Sequence, residues 1–328
     1  MRALVIEPDG NLVLRQRTQP IPGRGEVLVD IRAAGLNAAD LQQARGDYPA
    51  PAGWPPDIPG LEIAGEIRAL GADVRDWAPG DRVMALIGGG GHAEQVVLPA
   101  DLLLPVPEAI SWAEAGGFPE IFSTAWDALV SQARIRAGDR VLITGAAGGV
   151  GTAMTQIALV SGAGVVASVR RPELHDRVRS LGAVETVTPD QEAEHGPFDI
   201  IVELVGGADC LHRISLLRTG GRYVIVGVQG GMTAQLPMFE LMLRRATIIG
   251  TTIRGRDHAE KALLARSIRE SVVPMLSQGR IRVPVDASYP LDQHDTAYGR
   301  LAGPGKFGKL VFVTSGYTRP GDRVFGDG

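Results

Sequence analysis

Hydrophobic and polar positions change rhythm once along this chain, near residue 119. Before that point apolar residues recur at every second position. Gly25-Glu-Val-Leu-Val-Asp-Ile-Arg32 and Leu61-Glu-Ile-Ala-Gly-Glu-Ile-Arg68 both follow this period, which belongs to a half-buried strand. Pro79–Ile87 reads as a turn and then a strand, and His92–Leu98 as another strand. Short strands between glycine and proline turns predict an antiparallel, barrel-like β domain over 1–118. From 119 the rhythm is strand, helix, strand. Strands are expected at 141–145, 165–169, 185–188, 199–205, 222–227 and 246–253, with helices at Glu173–Leu181 and Ala208–Leu217. That alternation predicts a doubly wound parallel sheet in the order 3-2-1-4-5-6 over 119–254. A long helix at Asp257–Gln278 and short strands then return to the first domain (255–328), so the parallel-sheet domain is inserted in it. Ser315–Gly328 is polar and glycine-rich and reads as a loose extension.

Within the second rhythm one stretch carries chemistry. Val141-Leu-Ile-Thr reads as a buried strand, Gly145-Ala-Ala-Gly-Gly-Val-Gly151 as a turn, and Thr152–Val160 as a helix. A dinucleotide diphosphate needs that order: glycines admit backbone N–H groups to the phosphates, and the helix N-terminus presents partial positive charge. The spacing is Gly145-x-x-Gly148-x-x-Gly151, with Ala146 where the usual fingerprint has its first glycine. Gly145, Ala147, Gly148, Gly149, Val150 and Gly151 are the expected diphosphate contacts. About 20 positions on, at the end of the next strand, a discriminating residue is expected. Arg170 stands there, followed by Arg171. An arginine fork pairs with a 2′-phosphate, whereas an acid would repel it, so the expected cofactor is NADPH, with Ser168 also near the phosphate. The turns after the later strands, with Gly206, Gly227 and Thr251, lie at the carboxyl edge where such sheets bind ligands.

Composition narrows the setting. The 328 residues exceed a usual single domain, and 45% hydrophobic with 21% charged residues allows a sizeable core. The net charge of −4 offers no basic field for nucleic acid. No apolar run is long enough to suggest a membrane span, and the start lacks the apolar core of a signal peptide. A single cysteine, Cys210, excludes an intrachain disulfide and suits a reducing cytoplasm.

With these residues in view, the chain resembles the zinc-independent quinone oxidoreductases of the medium-chain dehydrogenase/reductase superfamily, nearest to their p53-inducible NADPH-dependent type. The matching segments are Ala33–Asp40, Pro59–Gly65, Gly80–Met84, Phe118–Trp126, the glycine turn and Gly308–Val311, spread over residues 1–314. The resemblance implies a GroES-like, β-barrel-type catalytic domain with an inserted Rossmann domain. It also implies hydride transfer from NADPH to a small-molecule quinone or enone, and a homodimer joined at the edge strand within Ala246–Ile253. Zinc enzymes of the superfamily carry a catalytic Cys and His where this chain has Asn37 and Leu61, and a four-cysteine lobe that one cysteine cannot make. The six histidines are scattered, so no metal is expected.

Without a metal, protein donors must meet the charge that develops on the acceptor. Asn37 is the first such candidate, its competing role being to satisfy turn backbone. Asp40, at the start of a short helix, is either a catalytic group or a cap. The resemblance places Tyr48 at the cleft mouth, where a phenol donates a proton or orients a carbonyl, its competing role being packing within its loop. Thr124 is expected near the nicotinamide, or bonded back to its own helix. Lys309, in Gly-Lys, is expected at the cofactor, or solvated. Two departures stand out: His92 and Thr188-Pro189 occupy places where related enzymes have tyrosines. Gly88–Gly91 reads as a flexible run with room for bulky acceptors. Two other functions fit the same residues: a 2-alkenal or enoyl-thioester reductase, and a non-catalytic NADPH sensor.

Overall fold

A computed structural model describes residues Met1–Thr314; the expectation for Ser315–Gly328 lies outside them. Strands β1 (Arg2–Ile6) and β2 (Leu12–Gln16) form an antiparallel pair. Then come β3 (Glu26–Leu36), α1 (Ala38–Ala44), β4 (Glu62–Leu70), β5 (Arg82–Leu86), β6 (Gln95–Pro99) and β7 (Leu104–Pro105). Helices α2 (Trp112–Gly116) and α3 (Pro119–Trp126) lead to the glycine-rich region. There β8 (Arg140–Ile143), α4 (Gly149–Val160), β9 (Gly164–Ser168), α5 (His175–Arg179), β10 (Glu185–Val187) and β11 (Phe198–Glu203) alternate. Next follow β12 (Leu217–Ile225), α6 (Met238–Arg244) and β13 (Thr247–Gly250). The last part holds α7 (His258–Ser267), α8 (Val273–Ser277), β14 (Val285–Pro290), α9 (His294–Ala302) and β15 (Lys309–Val313).

The chain divides into two compact units. One joins Met1–Ser123 to the chain from Arg254 onward; the other is Thr124–Ile253. The divisions expected near 119 and 254 fall after Ser123 and before Arg254.

In the first unit one sheet runs β14-β15-β3-β4-β5-β7, with β6 also on β3. β3 pairs antiparallel with β4, β6 and β15, while β14 and β15 are parallel. The alternation expected of β3 as a half-buried strand is lost where Val27, Leu28 and Val29 are all buried. A strand covered on both faces needs no polar face. Helix α2 packs against β3, and Gly116 lets it approach: a Cβ there would lie 2.6 Å from the Cβ of Ala33. Val29, Ile31, Ile63, Ile67, Val83 and Leu98 form the core beneath.

The second unit is a parallel sheet in the order β10-β9-β8-β11-β12-β13, which is the 3-2-1-4-5-6 winding expected from the sequence. β8 and β11 lie at its centre, so Val141, Leu142, Ile143, Ile200 and Ile201 are all fully buried. Three helix readings change. Ala208–Leu217 is a 3₁₀ segment at Cys210–Leu216, and Glu173–Leu181 is a 3₁₀ turn at Pro172–Leu174 followed by the short α5. Asp257–Gln278 is α7, a π turn at Ile268–Val272 and α8. Pro274 lacks the N–H an unbroken α-helix would use, and the π turn absorbs that register.

Candidate active site

The glycine turn leaves β8 at the carboxyl edge of the parallel sheet. Gly145 has φ +61°, a left-handed conformation that favours glycine. Gly148 begins α4 with extended backbone, and no side chain caps this helix end. The first helical hydrogen bond runs from Thr152 N–H to Gly148 O at 2.9 Å. The N–H groups of Gly149, Val150 and Gly151 therefore head the helix without a side-chain acceptor. Gly151 holds the helix close to the turn: a Cβ there would lie 2.6 Å from Ala146 Cα and 2.7 Å from Gly145 O. Ala147 lines the turn at 9% exposure, and Gly148 is exposed. An uncapped helix start facing open glycines fits the diphosphate of a dinucleotide.

At the end of β9, Arg170 and Arg171 are both exposed, and Arg171 pairs with Glu173 at 3.0 Å. Ser168 differs from its expected part. Its hydroxyl points inward and donates to Glu192 Oε1 at 2.5 Å. Glu192 is buried and is gripped in turn by Arg213. The sequence pattern held no sign of this, since an acid in a 3₁₀ turn reads as a surface residue.

A second residue missed from sequence is Glu203, fully buried at the end of β11. Its Oε1 accepts from Thr144 Oγ1 at 2.8 Å, Val205 N–H at 2.8 Å and Gly206 N–H at 2.9 Å. Its Oε2 accepts from Tyr223 O–H at 2.9 Å and Arg213 at 3.3 Å. Burial, and then the Glu203 charge, hold the Tyr223 phenol far above its usual range, so it stays a donor. Glu203 thus ties together the turns that leave β8 and β11. The available signal was an acid ending an apolar strand just before Gly206-Gly207. Gly206 has φ +75°, and a Cβ at Gly227 would lie 2.3 Å from Leu204 O, so both turns are tightly seated. Thr251 N–H donates to Ile225 O at 3.1 Å and its hydroxyl to Asp127 Oδ2 at 2.6 Å. Thr124 lies half-buried on α3, one turn before Asp127.

In the first unit a buried polar cluster gathers around the start of α1. Lys309 Nζ donates to Leu36 O at 2.8 Å and Asn37 Oδ1 at 2.7 Å, and lies 2.7 Å from Glu62 Oε1. Those three acceptors use all three ammonium N–H bonds. Lys309, expected at the cofactor or in solvent, is instead 3% exposed and committed within this unit. The Asn37 amide also differs from the free donor expected: it donates to Glu62 Oε1 at 3.0 Å and Gly35 O at 3.4 Å. Gly35 makes room for this, because a Cβ there would lie 2.1 Å from Glu62 Oε1. Asp40 closes the helix start by accepting from Asn37 N–H at 2.7 Å, and accepts from Gly60 N–H at 3.0 Å. That is the capping role, and burial raises its carboxyl above the usual range.

His92 is fully buried beside it. Nε2 faces Gly35 O at 3.2 Å and Nδ1 faces Tyr298 OH at 2.9 Å. A carbonyl only accepts, so Nε2 carries the proton and Nδ1 accepts from the Tyr298 hydroxyl. Burial holds the imidazole pKa below its usual value, against the pull of Asp40. Gly88–Gly91, expected to be flexible, is buried. A Cβ at Gly88 would lie 2.4 Å from Trp54 Cδ1, and Gly91 packs on Gly60. Tyr48 is half-buried, with the Arg254 guanidinium 4.7 Å above its ring centre. Among the described residues no group of three or more His, Cys, Asp or Glu is arranged to hold a metal ion, and no helix is long and apolar enough to cross a membrane.

Comparisons with known proteins agree with this architecture. Residues 23–108 match the alcohol dehydrogenase GroES-like domain, and residues 149–268 the family described as zinc-binding dehydrogenase. The chain is 29% identical to quinone oxidoreductase of Mus musculus, over 95% of this chain and 98% of that one. The quinone oxidoreductase of Thermus thermophilus, solved also in complex with NADPH, superposes with a TM-score of 0.83 at 33% identity, covering 95% and 100% of the two chains. A mycocerosic acid synthase-like polyketide synthase of Mycobacterium tuberculosis is 30% identical over 88% of this chain, which spans 14% of that protein. Fold and glycine turn together define an NAD(P)-dependent oxidoreductase. The chain belongs to the medium-chain dehydrogenase/reductase superfamily, in its quinone oxidoreductase family.

Proposed function

We propose that this enzyme reduces a quinone or a related conjugated carbonyl, uses NADPH, and needs no zinc. The observation that carries the cofactor choice is Arg170, exposed at the end of β9, in the same unit as the uncapped start of α4. In this reading Gly145, Ala147 and Gly148–Gly151 hold the diphosphate through backbone N–H groups. Arg170 and Arg171 hold the 2′-phosphate, and the Gly206, Gly227 and Thr251 turns shape the carboxyl edge. Bound NADPH supplies the hydride. The chain's own part is to orient the acceptor and to meet the charge that develops on its oxygen. Tyr48 takes that part through its hydroxyl, and Thr124 hydrogen-bonds near the nicotinamide. Asn37 and Asp40 contribute by fixing the turn into α1. Support for the zinc-free reading is that the Lys309 ammonium already lies against Asn37 and Glu62, so a fixed cation fills that place.

The polyketide synthase relative favours a second reading, an enoyl-thioester reductase. NADPH oxidation followed with 1,4-benzoquinones, 2-alkenals and crotonyl thioesters separates the two. Turnover of quinones supports the proposal, and turnover confined to thioesters overturns it. A rise in melting temperature with NADPH and no turnover of any acceptor assigns a sensor instead.

A homodimer belongs to the same proposal, in a cytoplasmic setting. β13 is an edge strand, and beside it in the chain Met238, Phe239 and Met242 are each about 70% exposed. An open strand edge next to exposed large apolar side chains suits a second copy. Light scattering that gives twice the chain mass, falling to one chain in Phe239→Glu/Met242→Glu, is the expected result.

A further inference from the structure

We propose that Arg254 is the positioning residue for Tyr48, an inference that rests on the role given to Tyr48 above. Arg254 is the first residue of the chain as it re-enters the first unit, and it is 8% exposed. Its guanidinium joins two separate stretches of the chain, the end of α1 with the loop after it, and the glycine run at Gly88. Nη1 donates to Tyr48 O at 2.8 Å. Nε and Nη2 donate to Gly88 O at 3.3 and 3.1 Å. Nη2 also donates to Gln43 Oε1 on α1. Above these bonds its Cζ lies 4.7 Å from the centre of the Tyr48 ring.

The backbone of Tyr48 and its ring are thus held by one planar group. The proline at position 49 biases the Tyr48 backbone away from the helical region, and the guanidinium over the ring adds a constraint on the ring's direction. The two neighbours are themselves anchored. Gln43 donates to Pro56 O at 3.1 Å, and Gly88 lies against the Trp54 indole. All the hydrogen-bond acceptors are neutral oxygens, and burial lowers the Arg254 pKa from its usual value. A buried cation without a bonded carboxylate is a poor device for stability. It is a good device for geometry, because a guanidinium donates in fixed in-plane directions and stacks on a ring, which an ammonium cannot do.

The test has two arms. In the first, hydrogen exchange of the protein alone, without acceptor, is compared in wild type, Arg254→Lys and Arg254→Met. Faster exchange confined to residues 43–56 and 87–91 in the methionine variant, with a smaller rise for lysine, is expected. Unchanged exchange there overturns the inference, whatever Tyr48 does. In the second, kcat and KM are measured for the fastest acceptor with Arg254→Met, Tyr48→Phe and the double variant. Arg254→Met is expected to lower kcat about tenfold while KM for NADPH moves less than about twofold. In the Tyr48→Phe background the same change is expected to cost about twofold or less, because the phenol it positions is gone. Equal losses in both backgrounds overturn the inference. A wild-type kcat in Tyr48→Phe alone refutes the catalytic reading of the tyrosine, and a loss in Arg254→Met beside it then overturns positioning through Tyr48 as well. Arg254→Lys carries both arms if the methionine variant does not fold.

Discussion

The Lys309 ammonium and the Glu62 carboxylate meet at 2.7 Å, with side chains 3% and 0% exposed. Far apart in the chain, they form the charged centre on which Asn37 and the start of α1 rest. Glu62 also accepts from Glu120 N–H at 2.8 Å, so the pair ties the beginning of α3 to the sheet.

Removing one member strands the other charge in the interior. Lys309→Met and Glu62→Gln are each expected to cost about 3–5 kcal/mol in urea denaturation. The double variant is expected to recover a large part of that loss. Additive losses count against a coupled pair.

Gly151→Ala places a Cβ against backbone at Ala146 and Gly145, neither of which gives way as a side-chain tip would. The start of α4 must then move off the turn. Calorimetry is expected to show NADPH affinity reduced tenfold or more, about 1.4 kcal/mol, with thermal stability lowered only modestly.

If Arg170 holds the 2′-phosphate as proposed, Arg170→Asp removes that partner and adds a repelling charge. Affinity for NADPH is expected to fall at least tenfold while affinity for NADH stays level or rises, so the preference inverts. Equal affinity of the wild type for the two cofactors contradicts the assignment.

Acid is expected to weaken the fold through His92. Burial lowers its folded pKa; Asp40 and Glu62 pull it up, Lys309 pushes it down, and the Tyr298 hydroxyl occupies Nδ1. For a histidine with a depressed folded value, the contribution is complete above its unfolded pKa of about 6.5 and is lost as pH falls toward the folded value. Unfolding free energy is therefore expected to decline below pH 6.5, by at most about 1.4 kcal/mol per unit from this group. Asp40, raised by burial, has the opposite sign, losing stability as pH rises from its ordinary value. His92→Gln is expected to flatten the decline between pH 6.5 and 5; an unchanged slope assigns it to other groups.

The parallel sheet and its winding were legible because β8, β9 and β11 are buried runs punctuated by glycine, a local signal. The glycine turn between β8 and α4 was legible for the same reason. What periodicity does not carry is the partner of a polar side chain. Lys309, Glu62, Glu203, Glu192 and His92 each look like surface residues in their own segments. Each is made buried by neighbours brought from elsewhere, as Gly35 makes room for the Glu62 carboxylate. Helix bounds failed where backbone detail intervened, at Pro274 and at the 3₁₀ turn of Cys210–Leu216.

The late position of β15 in the chain orders the events of synthesis. A ribosome releases all of Thr124–Ile253 before it has made Lys309–Val313. The six parallel strands have every partner they need by then, whereas Ala33–Leu36 of β3 still waits for β15. The nascent first unit therefore carries an open strand edge for most of its translation, and a stalled or truncated chain exposes that edge to aggregation.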